Sequence, residues 1–148
     1  MILISPFSKA LRDGKLNPKN YPYWKETIKL LKGEDIVQVG IKGEDKLVKD
    51  FRVGLPLVEL KNLIGQCSVW VSVDNFFPHL AHHVGKPGVV IWGQSDPLIF
   101  GYPENTNLLK DRKYLRKFQF DMWEAIQHDK NVFVGPDKVV AEIKNFVI

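Results

Sequence analysis

The chain has 148 residues, of which 45% are hydrophobic and 26% charged, a balance that fits one globular domain spanning 1–148 and excludes a disordered or fibrous chain. Lys and Arg number 21 against 17 Asp and Glu, so the net charge of +4 favours anionic partners without singling one out. The longest charge-free stretch, Asn62 to Val73, has 12 residues, short of the roughly 18 a membrane span needs. Met1 runs straight into Ile2-Leu3-Ile4 with no basic leader, and the single cysteine, Cys67, excludes both an intramolecular disulfide and a cysteine-built metal site. A soluble, cytoplasmic domain is the expectation.

Ile2-Leu3-Ile4-Ser5 reads as a first strand. Tyr23 to Leu31 follows as a helix, with Trp24, Ile28 and Leu31 on one stripe. Asp35 to Val39 reads as a second strand, and Leu57 to Ile64 as a second helix, opened by Pro56 and striped by Leu57, Leu60 and Ile64. Ser68 to Val73 and Gly88 to Trp92 are apolar on both sides and rich in β-branched residues, as strands covered on both faces tend to be. Phe77 to Val84 between them is helical and is stopped by Gly85 and Pro87. Pro136 to Val147 closes the chain as a helix with Val139, Val140, Ile143 and Val147 facing inward.

Strands alternating with helices predict an α/β fold: a three-layer, Rossmann-like domain with a mostly parallel sheet. Ligands of such sheets bind beyond the carboxyl ends of the strands, at a topological switch point. That rule directs attention to Ser5–Lys19, Gly40–Glu44, Asp74–His79 and Gly93–Tyr102.

In Asp74-Asn75-Phe76-Phe77-Pro78-His79 a strand ends at a carboxylate and Pro78 sits early in the next helix. The free N–H groups of that helix start would suit a phosphate, and Asp74 or Asn75 would equally serve as a plain cap. Gly93-Gln94-Ser95-Asp96-Pro97 supplies a small residue for close approach and two hydrogen-bonding side chains, or else a self-satisfied turn. His79 and His83 stand four apart, but they lack the glutamate and the distant ligand of a zinc helix, so neither a metal nor any other cofactor is expected. Lys9, Arg12, Lys15 and Lys19 form one basic cluster; Lys110, Arg112, Lys113, Arg116 and Lys117 form another, interleaved with Tyr114, Phe118 and Phe120. The second suits either a nucleic acid or a solvated face beside a small anionic site.

In combination these segments resemble the C-terminal, donor-binding half of glycosyltransferase family 9, the heptosyltransferase-like enzymes. Val73 to Ala81 is similar to that family's acidic turn leading into a His-Leu-Ala helix. Gly85-Lys86-Pro87, a strand, and Gly93-Gln94-Ser95-Asp96-Pro97 resemble its Gly-Pro-Thr/Ser-Asp-Pro signature, and Lys19-Asn20-Tyr21-Pro22 resembles its Lys-x-Trp-Pro. The resemblance runs from Ile2 to about Asn107. It implies one half of a GT-B fold that binds a nucleotide-activated sugar or nucleoside diphosphate. Lys19 would neutralise donor phosphate, with Lys9 and Arg12 as further phosphate contacts. Glu44 would hold the nucleoside, and Asp74, Asn75, Phe76, His79, Ser95 and Asp96 would line the donor site.

Phe76 stands where the family commonly has glycine, and the resemblance does not extend to the half that supplies the acceptor site and the general base. Catalytic residues therefore stay unassigned. A second acceptor-binding chain or a homo-oligomer would complete the enzyme, with Phe76, Phe77, Phe100 and Tyr102 near the contact face. The alternatives are a non-catalytic nucleotide or nucleotide-sugar module, and a subunit of a DNA-modifying glycosyltransferase.

Overall fold

Side chains alternate strictly along the central strands, and that alternation divides the core in two. A computed structural model, which describes residues 1–147, arranges β1 (Ile2–Ser5), β2 (Ile36–Gly40), β3 (Asp50–Val53), β4 (Val69–Val73), β5 (Val89–Ile91) and β6 (Thr106–Leu108) in one sheet of order β3-β2-β1-β4-β5-β6. Every pairing is parallel. Ile2, Ile4, Val69, Val71, Val73, Val89 and Ile91 point to one face, where α1 (Trp24–Leu30) and α5 (Pro136–Val147) pack. Leu3, Val37, Val39, Trp70, Val90 and Trp92 point to the other, under α2 (Leu57–Gln66) and α3 (Phe77–Val84). Burial on both faces explains why β4 has no exposed residue at all.

The predicted strands and helices are all present, with ends shifted by a residue or two. Two strands and one helix are additional. β3 is reached from β2 without a crossover helix. Its connection is held instead by Gln38, a fully buried amide whose Nε2 donates to Asp45 O and whose Oε1 accepts from Leu47 N, both at 2.8 Å. β5 reaches β6 through α4 (Pro97–Phe100), only four residues long. Three orientations differ from expectation. Leu57, at the first turn of α2, is exposed, and Leu63 takes its place in the stripe with Leu60 and Ile64. Val147, in the last turn of α5, is also exposed. Phe77 is fully buried against Trp70, at 5.6 Å between ring centroids, so it belongs to the core and not to a contact face.

Trp70 shows how tightly the α2/α3 layer is fitted. Its Nε1 donates to Lys86 O at 2.8 Å, which fixes the indole against the turn before β5. A Cβ on Gly88 would overlap that indole. Gly88→Ala should therefore force a shift of a pinned ring, destabilising the fold by about 1–3 kcal/mol and lowering the thermal midpoint by roughly 2–10 °C. Calorimetric melting of the variant beside the parent checks this.

Candidate functional site

β1 and β4 are neighbours in the sheet, but the chain leaves them toward opposite faces. It goes from β1 to α1 on one side and from β4 to α3 on the other. A crevice must open between the two connections, and it opens where the strand order reverses. The structure has a cleft of about 910 Å³ there, within the size range of small-molecule sites.

The long loop after β1 enters this cleft in a defined shape. Ser8 N donates to Asn20 Oδ1 at 2.7 Å, Asn17 Nδ2 donates to Lys9 O at 2.8 Å, and Lys19 N donates to Asn17 Oδ1 at 3.0 Å. Two asparagines thus bracket Lys19 and fix its backbone. Its ammonium lies 3.2 Å from Asp74 Oδ2 and 5.3 Å from the centre of the Trp123 ring. The turn after β4 meets the same loop from the other side: Ser8 Oγ donates to Asp74 O at 2.6 Å, and Asn75 Nδ2 reaches Ser5 and Phe7. Asn75 Oδ1 accepts from Phe77 N at 2.9 Å, so this side chain serves both as a clamp on the loop and as an Asx turn at the head of α3.

Glu44 projects over the end of β2. A Cβ at Gly40 would occupy the position of its carboxylate, so the glycine is what lets Glu44 lie back across the strand end. Burial pushes the Glu44 carboxyl up from its ordinary value, against a smaller opposing effect of the backbone at Ile41. Val39, Leu55 and Leu57 give this end of the cleft an apolar wall.

The remaining predicted residues divide. Lys9, Phe76, His79 and Ser95 line the cleft together with Lys19, Glu44, Asp74 and Asn75. Phe76 is 54% exposed at its rim. His79 Nδ1 is 2.7 Å from Tyr102 Oη, and Tyr102 stacks on His82, which pairs with Glu104 and holds that carboxyl below its usual range. Asp96 does not line the cleft. Its Oδ1 caps α4 through Leu98 N, and both oxygens accept from Arg112, at 3.0 and 2.7 Å, which holds its carboxyl below the usual range. Arg12 is also outside, with an exposed side chain 3.8 Å from Glu124.

Sequence reasoning missed the wall contributed by the segment after β6. Arg116, Gln119, Phe120 and Asp121 line the cleft from irregular chain between 3₁₀ turns at Arg112–Tyr114 and Trp123–Ala125, and Trp123 lines it from the second turn. Most of the basic cluster there is engaged internally: Lys110 Nζ donates to Asn131 O, Arg112 pairs with Asp96, and Arg116 is buried. Lys113 and Lys117 rest over Tyr114 and Phe118.

A parallel sheet of this order, with a cation-bearing crevice at its switch point, defines a Rossmann-like α/β unit. No protein-family model and no curated protein matches the chain. Solved structures do. Escherichia coli ADP-heptose LPS heptosyltransferase II superimposes with a TM-score of 0.71 at 18% identity, over 99% of this chain and 46% of that one. A glycosyl transferase family 9 protein from Veillonella parvula gives 0.65 at 14% identity, over 99% and 46%. The E. coli heptosyltransferase WaaC, solved with ADP, gives 0.65 at 16% identity, over 98% and 43%. The chain thus has a glycosyltransferase-type fold and spans less than half the length of the proteins it matches. Among the described residues, no helix is long and apolar enough to cross a membrane.

An ionised Glu44 works against its own burial. A carboxyl whose folded pKa is raised favours folding below its unfolded pKa, and loses that contribution as pH rises through the folded value. Glu44→Gln should therefore raise the thermal midpoint at neutral pH, with the gain vanishing in acid below the ordinary carboxylate range. Melting curves of both proteins across pH would show the two midpoints converging as pH falls.

Proposed function

We propose that this chain is the donor-binding part of a glycosyltransferase, holding a nucleotide-activated sugar in the switch-point cleft. The observation that carries the reading is Lys19, an ammonium held by a structured loop at the crevice between β1 and β4, inside a cleft of ligand size. Breaking the bond between an activated sugar and its nucleotide leaves negative charge on the departing diphosphate, and a fixed cation stabilises that charge. Lys19 performs this role. His79, with its ring directed by Tyr102, offers a second hydrogen-bonding group at the start of α3. Glu44 takes the ribose hydroxyls, and the apolar wall of Val39, Leu55 and Leu57 takes the base.

Asp74 has two parts to play: its carboxylate orients Lys19, and it faces the sugar end of the donor. The likeness to proteins of about twice this length supports transfer being completed by a second acceptor-binding chain or by another copy, in a GT-B arrangement. Deprotonating an acceptor hydroxyl needs a base within hydrogen-bond reach, and that base is assigned to the completing part. Exposed Phe76 and Phe120 at the cleft mouth are the apolar surface for the contact.

Calorimetry against nucleoside diphosphates and their sugar conjugates tests the donor site. Saturable binding of one of them is expected, and Lys19→Ala should weaken it by about 10- to 150-fold, the range of a lost charge-assisted contact. Binding of none would sink the reading. The purified chain should bind without transferring sugar. Transfer by it alone would mean that copies of the chain rebuild the whole catalytic cleft.

A further inference from the structure

Arg116 lines the cleft with buried donors that the fold leaves unused among the described residues. It is 9% exposed, and of its guanidinium nitrogens only Nη2 has an acceptor, Gln119 O at 2.6 Å. Nε and Nη1 are buried and find no acceptor among the described residues. Donors buried in this way cost free energy in proportion to their lost hydration, and more so on a charged group. Burial also weakens the hold of this guanidinium on its proton, against the opposing pull of Asp121 and Asp74.

Apart from the Nη2 bond to Gln119 O, the local backbone is held by other groups. Arg116 N donates to Gln94 O at 3.1 Å, Gln119 Nε2 donates to Gln94 O at 3.0 Å and to Arg116 O at 2.8 Å, and Gln119 Oε1 accepts from Asp96 N at 2.8 Å. These bonds dock residues 116–119 onto the turn after β5, and the guanidinium enters into none of them. What the charge does touch is Trp123, whose ring centre is 3.6 Å from Arg116 Cζ and 5.3 Å from Lys19 Nζ. One indole therefore lies against two of the cations that line the cleft, Lys19 and Arg116. A cation–π contact shields a buried charge without satisfying its N–H groups, which remain available to an acceptor.

We propose that Arg116 is a second diphosphate-binding cation of the cleft, covered by the Trp123 indole, which an entering anion displaces to reach the guanidinium. The inference rests on the donor-site reading and deepens it, because it makes two phosphoryl groups, addressed by Lys19 and Arg116, the feature the cleft selects. A nucleoside lacking phosphate would meet only the Glu44 end. Trp123 is held by fewer contacts to fixed groups than the other tryptophans. It lies in a single 3₁₀ turn, whereas Trp24, Trp70 and Trp92 are buried and each donates Nε1 to a fixed acceptor.

The test combines tryptophan emission and calorimetry on the full chain, titrated with sodium pyrophosphate, a panel of nucleoside diphosphates and the matching nucleosides. Emission should change with pyrophosphate and with the bound diphosphate, stay constant with nucleoside, and lose its response in W123F. R116Q should weaken pyrophosphate and diphosphate binding by about 10- to 100-fold while leaving nucleoside binding as it was. R116K, which keeps the charge but not the planar fork, should fall between the two, and it carries the test should R116Q fail to fold.

Equal diphosphate affinity in the parent, R116Q and R116K would overturn the role of Arg116 and leave the donor site standing. Diphosphate binding with no change in Trp123 emission would overturn the displacement. Arg116-dependent binding of pyrophosphate with no nucleotide bound would do the reverse, keeping the anion site and removing the donor reading. Binding of neither anion would overturn both.

Discussion

The ion pair between Lys19 and Asp74 joins the two sides of a crevice that the sheet itself cannot close. β1 and β4 hydrogen-bond along their length, but past Ser5 and Val73 the chain departs in opposite directions and no backbone ladder continues. Side chains must take over. Lys19 reaches Asp74, Ser8 reaches its carbonyl, and Asn75 reaches back to Ser5 and Phe7. The whole post-β1 loop is organised by what converges on two residues, Asp74 and Asn75. A partly buried pair recovers its desolvation cost best where geometry is held, and the asparagine brackets around Lys19 supply that restraint. With the same restraint, the ammonium would lose little further conformational freedom on meeting an anion.

Much of the fold was legible because the central strands are covered on both faces. Val69-Trp70-Val71 and Val89-Val90-Ile91 have no polar face to confuse their period, and their flanking helices carry clear stripes. The missed elements fail for a common reason. Asp50-Phe51-Arg52-Val53 lies on the sheet edge with charged residues at alternate positions, and Thr106-Asn107-Leu108 is three residues long, so neither presents an apolar run. α4 has a well-formed Asp96 cap but only one turn, too short for any periodicity to register. Phe77 was misplaced for the opposite reason: a pair of adjacent phenylalanines looks like a patch, whereas the helix sends one ring into the core and the other into solvent.

Within the site, the strand-end rule found Lys19, Glu44, Asp74, His79 and Ser95, because topology alone brings such positions together. It could not find Arg116, Gln119 or Trp123. Those residues lie well beyond β6, a strand the sequence pattern does not reveal, and the hydrogen bonds of one glutamine dock their segment onto the turn after β5. Charge counting misled there as well. A run of five cations reads as a surface, yet Asp96, Asn131 and the Trp123 ring take three of them into the structure.

The two borders of the sheet limit how copies of this molecule can meet. β3 presents Asp50 and Arg52 as a bidentate ion pair along its free border, at 3.1 and 2.9 Å, and β6 offers only three residues. A neighbouring chain that tried to extend the ladder would have to strip water from charges on one side and would find almost no template on the other. Association by strand addition, the route to runaway polymers, is thereby discouraged on both flanks. Contact through side-chain faces is the route these borders leave open.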